Sequence, residues 1–186
     1  MRISLASFLT ITVLALLRSS LAQTVAQTAQ TAPKRTLVNG DFQASPVGQP
    51  PEGWTSAYAT GAAGVASDGK DTFLRLTNTQ PTNAGVAQAV EVPPKATGVT
   101  VLGRMRGRPQ NQKVDKQAAV QVALRFLDAA GGNINAGIVS SENSPNWHTF
   151  KREFKLPPGC AKVEVVARSI FAVGTFDFDE VRVEFK

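Results

Sequence analysis

The chain of 186 residues contains one cysteine, Cys160, and one histidine, His148. A lone thiol cannot close a disulfide within the chain, so a stable fold must rest on its core. A lone imidazole is too little for a histidine-based metal centre. It also leaves Ser-His-Asp or Cys-His chemistry dependent on His148, and the setting Asn146-Trp147-His148 reads as the start of a strand. Cys160 reads as a small structural residue rather than a nucleophile. Acidic residues are present, yet no spacing nominates a carboxylate pair for glycoside hydrolysis. The expectation is a protein that is not an enzyme.

Charge and aromatic content are also thin, at 18% and 7% of the chain, with two tryptophans and one tyrosine. The formal net charge is +6. The densest basic stretches, Arg104 to Arg108 and Lys113 to Lys116, are short, which argues against a nucleic-acid partner.

What is present begins with a targeting pattern. Arg2 precedes an apolar run from Ile3 to Leu17 interrupted only by Ser and Thr, and Ser20-Leu21-Ala22 forms a small-x-small cleavage site. Residues 1–22 are therefore expected to be a signal peptide, and the protein to be secreted, either extracellular or periplasmic. The run is shorter than the roughly 20 residues needed to span a bilayer. No cysteine follows it for lipidation, so no membrane anchor is expected. Removing Arg2 and Arg18 leaves 18 basic against 14 acidic residues, a net of +4. Residues 23–35 form an Ala/Gln/Thr tract with nothing large to bury, a flexible low-complexity leader by composition. Residues 36–186 have the usual size of one domain.

Within that domain, short apolar runs separated by Gly, Pro, Asn and Asp point to an all-β, two-sheet antiparallel β-sandwich. Strands are expected over 36–42, 72–77, 84–92, 97–106, 118–127, 133–139, 147–155, 161–168 and 175–185, the first and last of them framing the sandwich. Period two places Val120, Val122, Leu124 and Phe126 on one face and Gln121, Ala123 and Arg125 on the other. Val99, Val101 and Met105 likewise oppose Thr100, Arg104 and Arg106, and Val163, Val165 and Ala167 oppose Glu164, Val166 and Arg168. Asp128 to Asn133 and Pro157-Pro158-Gly159 supply turns.

Taken in order, Leu37-Val38-Asn39-Gly40-Asp41-Phe42-Gln43, Pro51-Glu52-Gly53-Trp54, Phe73-Leu74-Arg75-Leu76, Gly85-Val86-Ala87-Gln88, Trp147 with Phe150, Pro157-Pro158-Gly159 and Phe178-Asp179-Glu180-Val181 resemble carbohydrate-binding modules of the family 4, 9 and 22 type. The resemblance spans Leu37 to Phe185. It implies a galactose-binding-like jelly roll without catalysis, whose partner is a polysaccharide or glycan. A separate secreted enzyme is the second partner it allows, and a monomer is expected. It also implies a structural Ca²⁺, with Asp179 as the C-terminal ligand, Asp68 or Asp71 as a second carboxylate, and Gln43 where such modules often carry Glu.

Sugar recognition needs a π-surface and convergent polar groups. Trp54 and Trp147 fall at positions that are commonly structural in the resembled modules, which leaves Tyr58 as the favoured aromatic. Arg104 and Arg106, Gln121 and Arg125, and Arg168 with Glu164 are expected to converge as one polar face, where guanidinium forks suit acidic polysaccharides. The rival expectation is a structural or adhesive extracellular sandwich without sugar binding, its polar face merely solvated. The polar segment 107–117 reads equally as a binding lid or a surface loop.

Overall fold

Strands of twenty and twenty-four residues organise this protein, and both are too long for a single flat layer. The computed structural model describes residues 36–58, 61–111, 113, 115–141 and 143–186; the expected signal peptide and leader lie outside them. Eight strands follow in order: β1 (Thr55–Ser56), β2 (Ala62–Ser67), β3 (Thr72–Glu91), β4 (Gly98–Gly107), β5 (Ala119–Leu127), β6 (Asn133–Ser140), β7 (Ser144–Lys155) and β8 (Lys162–Phe185). Every pairing is antiparallel, and no helix occurs among the described residues.

The long strands β3 and β8 pair with each other twice, on either side of a bend. Leu74 to Asn78 pair with Gly174 to Phe178, and Ala84 to Glu91 pair with Lys162 to Ser169, with register shifts between. Beyond the bend the partners differ. The C-terminal half of β8 pairs with β4, which pairs with β7, while its N-terminal half pairs with β5, which pairs with β6. The result is a sandwich. The first layer holds β2, the start of β3, the end of β8, β4 and β7; the second holds β1, the end of β3, the start of β8, β5 and β6.

Alternation along each strand builds the core between the layers. Leu74, Leu76, Val99, Val101, Met105, Phe176 and Phe178 from the first layer meet Val86, Val90, Val120, Val122, Leu124, Phe126, Val163 and Val165 from the second, all nearly inaccessible to solvent. Each such side chain contributes roughly 1.5–3 kcal/mol by leaving water. The all-β sandwich and the faces expected for β4, β5 and β8 agree with this core.

The expected first strand, 36–42, is not a strand. Its backbone partners come from elsewhere: the buried Gln88 side chain accepts from Val38 N at 2.6 Å and donates to Val38 O at 3.0 Å. Asn39 and Phe42 have φ of 54° and 56°, which bends the chain into a turn. The Asn39 side chain staples this turn to Ser45, Glu52 O and Ala44 N, and Gly40 O accepts from Val181 N at 2.8 Å. The turn thus does dock on the last strand, through one hydrogen bond instead of a ladder.

Other boundaries differ as well. The pairs 72–77 with 84–92 and 161–168 with 175–185 are continuous as β3 and β8, because Gln80-Pro81-Thr82 and Ala172-Val173-Gly174 lie at the bend without breaking the strand. β2 has no counterpart in the sequence reading; Ala62-Ala63-Gly64-Val65-Ala66-Ser67 has little β propensity, and its place comes from pairing with β3. Within 107–117, Gln110 and Asn111 are tied to the bend, with Gln110 N donating to Val173 O at 2.9 Å and the Asn111 side chain bridging Phe171 O and Val173 N.

Candidate functional site

The outer face of the second layer is built in rows across β3, β8 and β5. Ala87, Val166 and Ala123 form the middle row, flanked by Ala57 and Ile138. These three are at most 4% exposed although they point away from the main core. Their small side chains are sunk between longer ones on the rows above and below. In one of these rows Gln121, Arg168 and Gly85 face each other; in the other, Arg125, Glu164 and Ala89 do.

In the first polar row, Arg168 is held in a fixed pose. Its Nε and Nη2 donate to Gln121 Oε1 at 3.1 and 2.8 Å, and its Nη1 donates to Tyr58 Oη at 3.3 Å. A planar guanidinium fixed this way presents its remaining N–H groups in a defined direction. Gly85 lets β3 run close beneath it, since a Cβ there would meet Ala167 O at 2.6 Å and Arg168 Cβ at 3.0 Å. In the second row Arg125 Nη1 donates to Glu164 Oε2 at 3.0 Å. Tyr58, Gln121, Arg125 and Arg168 therefore share a face; the alternation of β5 and β8 predicts this for the last three, and Tyr58 joins them through its contact with Arg168.

Arg104 and Arg106 do not join them. They project from β4, which belongs to the first layer, so the single convergent polar face is in fact two faces on opposite sides of the sandwich. On the first layer the guanidinium groups are paired internally. Asp177, nearly buried, accepts from Arg75 Nε and Nη2 at 2.8 and 2.9 Å and from Arg106 Nε at 2.8 Å. The side-chain hydrogen bond to Asp177 raises the Arg75 pKa above its ordinary value. Arg104 and Arg106 also lie over Trp147, 4.8 and 4.5 Å from its ring centroid, and Phe73 meets that ring edge-on at 5.6 Å. Trp54 is a core residue whose ring is tilted against Phe42, centroids 5.5 Å apart, as expected of a structural position.

The residues implied as calcium ligands are partly gathered. Gln43, Asp71 and Asp179 converge beside Arg104, whereas Asp68 is occupied in its own turn. There its Oδ1 accepts from Lys70 N and Asp71 N, both at 3.1 Å, and these bonds lower its pKa. The convergent oxygens already have partners. Arg104 donates to Asp179 Oδ2 from Nε at 3.0 Å and from Nη2 at 2.5 Å, and its Nη2 also meets Asp71 Oδ2. Gln43 turns its amide N–H₂ toward Asp71 Oδ1, Asp41 O and Thr72 O. Burial raises the Asp179 pKa, with Arg104 working against it. A guanidinium between two carboxylates does not suit a divalent ion there, and among the described residues no group of three or more His, Cys, Asp or Glu is arranged to hold one.

His148 lies within β7 opposite Met105, about 23 Å of strand from Lys155, whereas Cys160 lies in the turn that follows Lys155. Burial raises the Cys160 thiol pKa, which disfavours the thiolate.

No protein-family model matches the sequence, and no curated protein does. Solved structures do. The CBM22-1 xylan-binding domain from Paenibacillus barcinonensis Xyn10C is 14% identical with a TM-score of 0.55, over 82% of this chain and 96% of that one. TmCBM61, solved in complex with beta-1,4-galactotriose, is 16% identical with a TM-score of 0.54, over 82% and 100%. The fold is the β-sandwich of carbohydrate-binding modules. The enzymatically active domain of Bacteriophage CBA120 tailspike protein 4 is also similar, at 14% identity and a TM-score of 0.61, and the chain spans about a fifth of its length.

The sequence did not single out the middle row of Ala87, Ala123 and Val166. Small apolar residues on a polar face are the available signal, and Ala123 between Gln121 and Arg125 shows it. Nor did it assign Arg75 and Asp177 a role. Asp177, between two core-facing phenylalanines, is the clue that a charge is needed behind that strand.

Proposed function

We propose that this chain is a secreted, non-catalytic carbohydrate-binding module that takes a glycan on the outer face of its second layer, with Tyr58, Gln121, Arg125 and Arg168 as contacts. The observation that supports this most is the Arg168 guanidinium, half-buried and fixed by Gln121 and Tyr58 beside a sunken apolar row. The half-buried Ala57 and Ile138 at the ends of that row are the apolar surface open to a sugar ring, and the flanking polar rows offer hydroxyl and carboxylate partners. With two arginines against one glutamate, the face favours an acidic polysaccharide over a neutral one. Sugar recognition by similar sandwiches, one named as xylan-binding and one solved with beta-1,4-galactotriose, supports the same reading. The opposite face, where Arg104 and Arg106 are ion-paired, is structural.

The test is affinity gel electrophoresis of the protein against polygalacturonate, alginate, xylan and β-1,4-galactan. Retardation by the uronic-acid polymers, lost in Arg168→Ala and kept in Arg106→Ala, is the expected result. Retardation by none of the four would favour the rival reading of a structural or adhesive sandwich without sugar binding, which the internally satisfied Arg168 also permits.

A further inference from the structure

We propose that the Arg104 guanidinium, seconded by the Gln43 amide, is the fixed cation of the junction where the turn after Phe42, the β2–β3 hairpin, β4 and β8 meet, and that it stands in the place of a divalent metal. Four observations converge on this. Asp179 is 1% exposed, so its carboxylate needs a nearby positive charge or a dense set of donors. Its Oδ2 has Arg104 Nε and Nη2, and its Oδ1 accepts from Glu180 N at 2.7 Å. The same Nη2 reaches Asp71, so one planar group joins carboxylates from β8 and from the loop before β3. Finally, Gln43 faces three acceptors, Asp71 Oδ1, Asp41 O and Thr72 O, which fixes its amide with N–H₂ inward. A metal would require Oε1 on that side.

The bulge at Glu180 shows how β8 accommodates this. Glu180 has a φ of 51°, and β8 slips register against β4 between Asp179 and Arg182, opposite Gly103. A Cβ at position 103 would lie 2.7 Å from the Phe150 ring and 3.1 Å from Asp179 O, so the glycine lets the bulge close. The bulge aims Asp179 at Arg104 and frees Val181 N for Gly40 O. Trp147 covers the guanidinium from the β7 side.

A guanidinium cannot be chelated away, so this junction is insensitive to calcium and to chelators. Thermal melts of the wild-type protein in EDTA and in millimolar calcium are expected to agree within about 1 °C. Terbium luminescence, sensitised by tryptophan, is expected to show no saturable binding to the wild type. Arg104→Ala is expected to melt about 10 °C lower, because it strands a buried carboxylate, and millimolar calcium is expected to recover part of that loss. Arg104→Lys keeps the charge without the fork and covers the case in which the alanine variant does not fold; it is expected to melt between the two and not to respond to calcium. A wild-type melting temperature that falls in EDTA, saturable terbium uptake by the wild type, or a lysine variant that calcium stabilises would each overturn the proposal. An alanine variant as stable as the wild type, or one that calcium does not help, would overturn it equally.

Discussion

Asn78 of β3 donates its side-chain N–H to Ser169 Oγ of β8 at 2.9 Å, where both long strands leave one layer for the other. The same amide nitrogen reaches Thr82 O at 3.2 Å and Ala172 O at 3.0 Å, carbonyls of the one residue pair that lies between the two register shifts. One buried side chain thus satisfies the backbone of two strands at their common bend. Asn78→Ala leaves these acceptors unpaired and is expected to cost about 2–3 kcal/mol in urea unfolding. A loss under roughly 0.5 kcal/mol would mean that the bend is held by packing alone.

Gly40 is required by contact. A Cβ there would lie 2.0 Å from Val181 O, in the approach that lets Gly40 O accept from Val181 N. Gly40→Ala must push the turn off β8, and a loss of about 3 kcal/mol or more, or failure to fold, is expected. Gly69, which meets nothing within 4 Å, is the contrast. At its φ of +88°, Gly69→Ala is expected to cost about 1 kcal/mol, from backbone strain alone.

On the proposed binding role, the fork of Arg168 is expected to matter alongside its charge. Arg168→Lys retains the positive charge but cannot make both bonds to Gln121 while facing Tyr58. Affinity for a uronic-acid polymer is expected to fall about tenfold, some 1.4 kcal/mol, with thermal stability nearly unchanged. Retained affinity would show that the face works by charge alone.

Acid is expected to act on two nearby aspartates in opposite directions. Backbone N–H donors lower the Asp68 pKa, so its contribution is complete above the ordinary aspartate range and is lost as pH falls through its folded value. Burial raises the Asp179 pKa; the folded protein then binds that proton more tightly than the unfolded chain, and this contribution declines as pH rises through the window above the ordinary value. Carboxyl ¹³C titration of the folded protein checks both, with Asp179 expected to titrate at the higher pH. The reverse order would contradict the assignment of causes.

Cys160 is expected to react slowly with a thiol reagent at neutral pH. It is half-buried, donates to Lys162 O at 3.2 Å, and has a raised pKa. A rate at least about tenfold below that of a free thiol is expected. A rate equal to it would place the sulfur in the open.

The proposed binding face was legible where period two alone decides the outcome. Gln121, Arg125 and Arg168 lie on strands whose alternation is clean, and β5 and β8 are true neighbours. Arg104 and Arg106 were misplaced because alternation tells which side of a strand a residue occupies, not which layer the strand joins. The chain crosses between layers in the 107–118 segment, and nothing local in Gly107-Arg108-Pro109 announces it. The stretch 36–42 looked like a strand because Leu37, Val38 and Phe42 carry strand propensity; its hydrogen bonds come instead from Gln88, a side chain some fifty residues away. Asp179 was singled out only as the calcium ligand that the resemblance implies; its burial and its counter-charge depend on a pairing with β4 that only the fold supplies.

Because β3 and β8 each run through both sheets, neither sheet can peel away without dragging the other. Their mutual ladder joins segments about ninety positions apart in the chain, so the loop between them must close before it forms. Refolding is therefore expected to be slow, with the two sheets forming together.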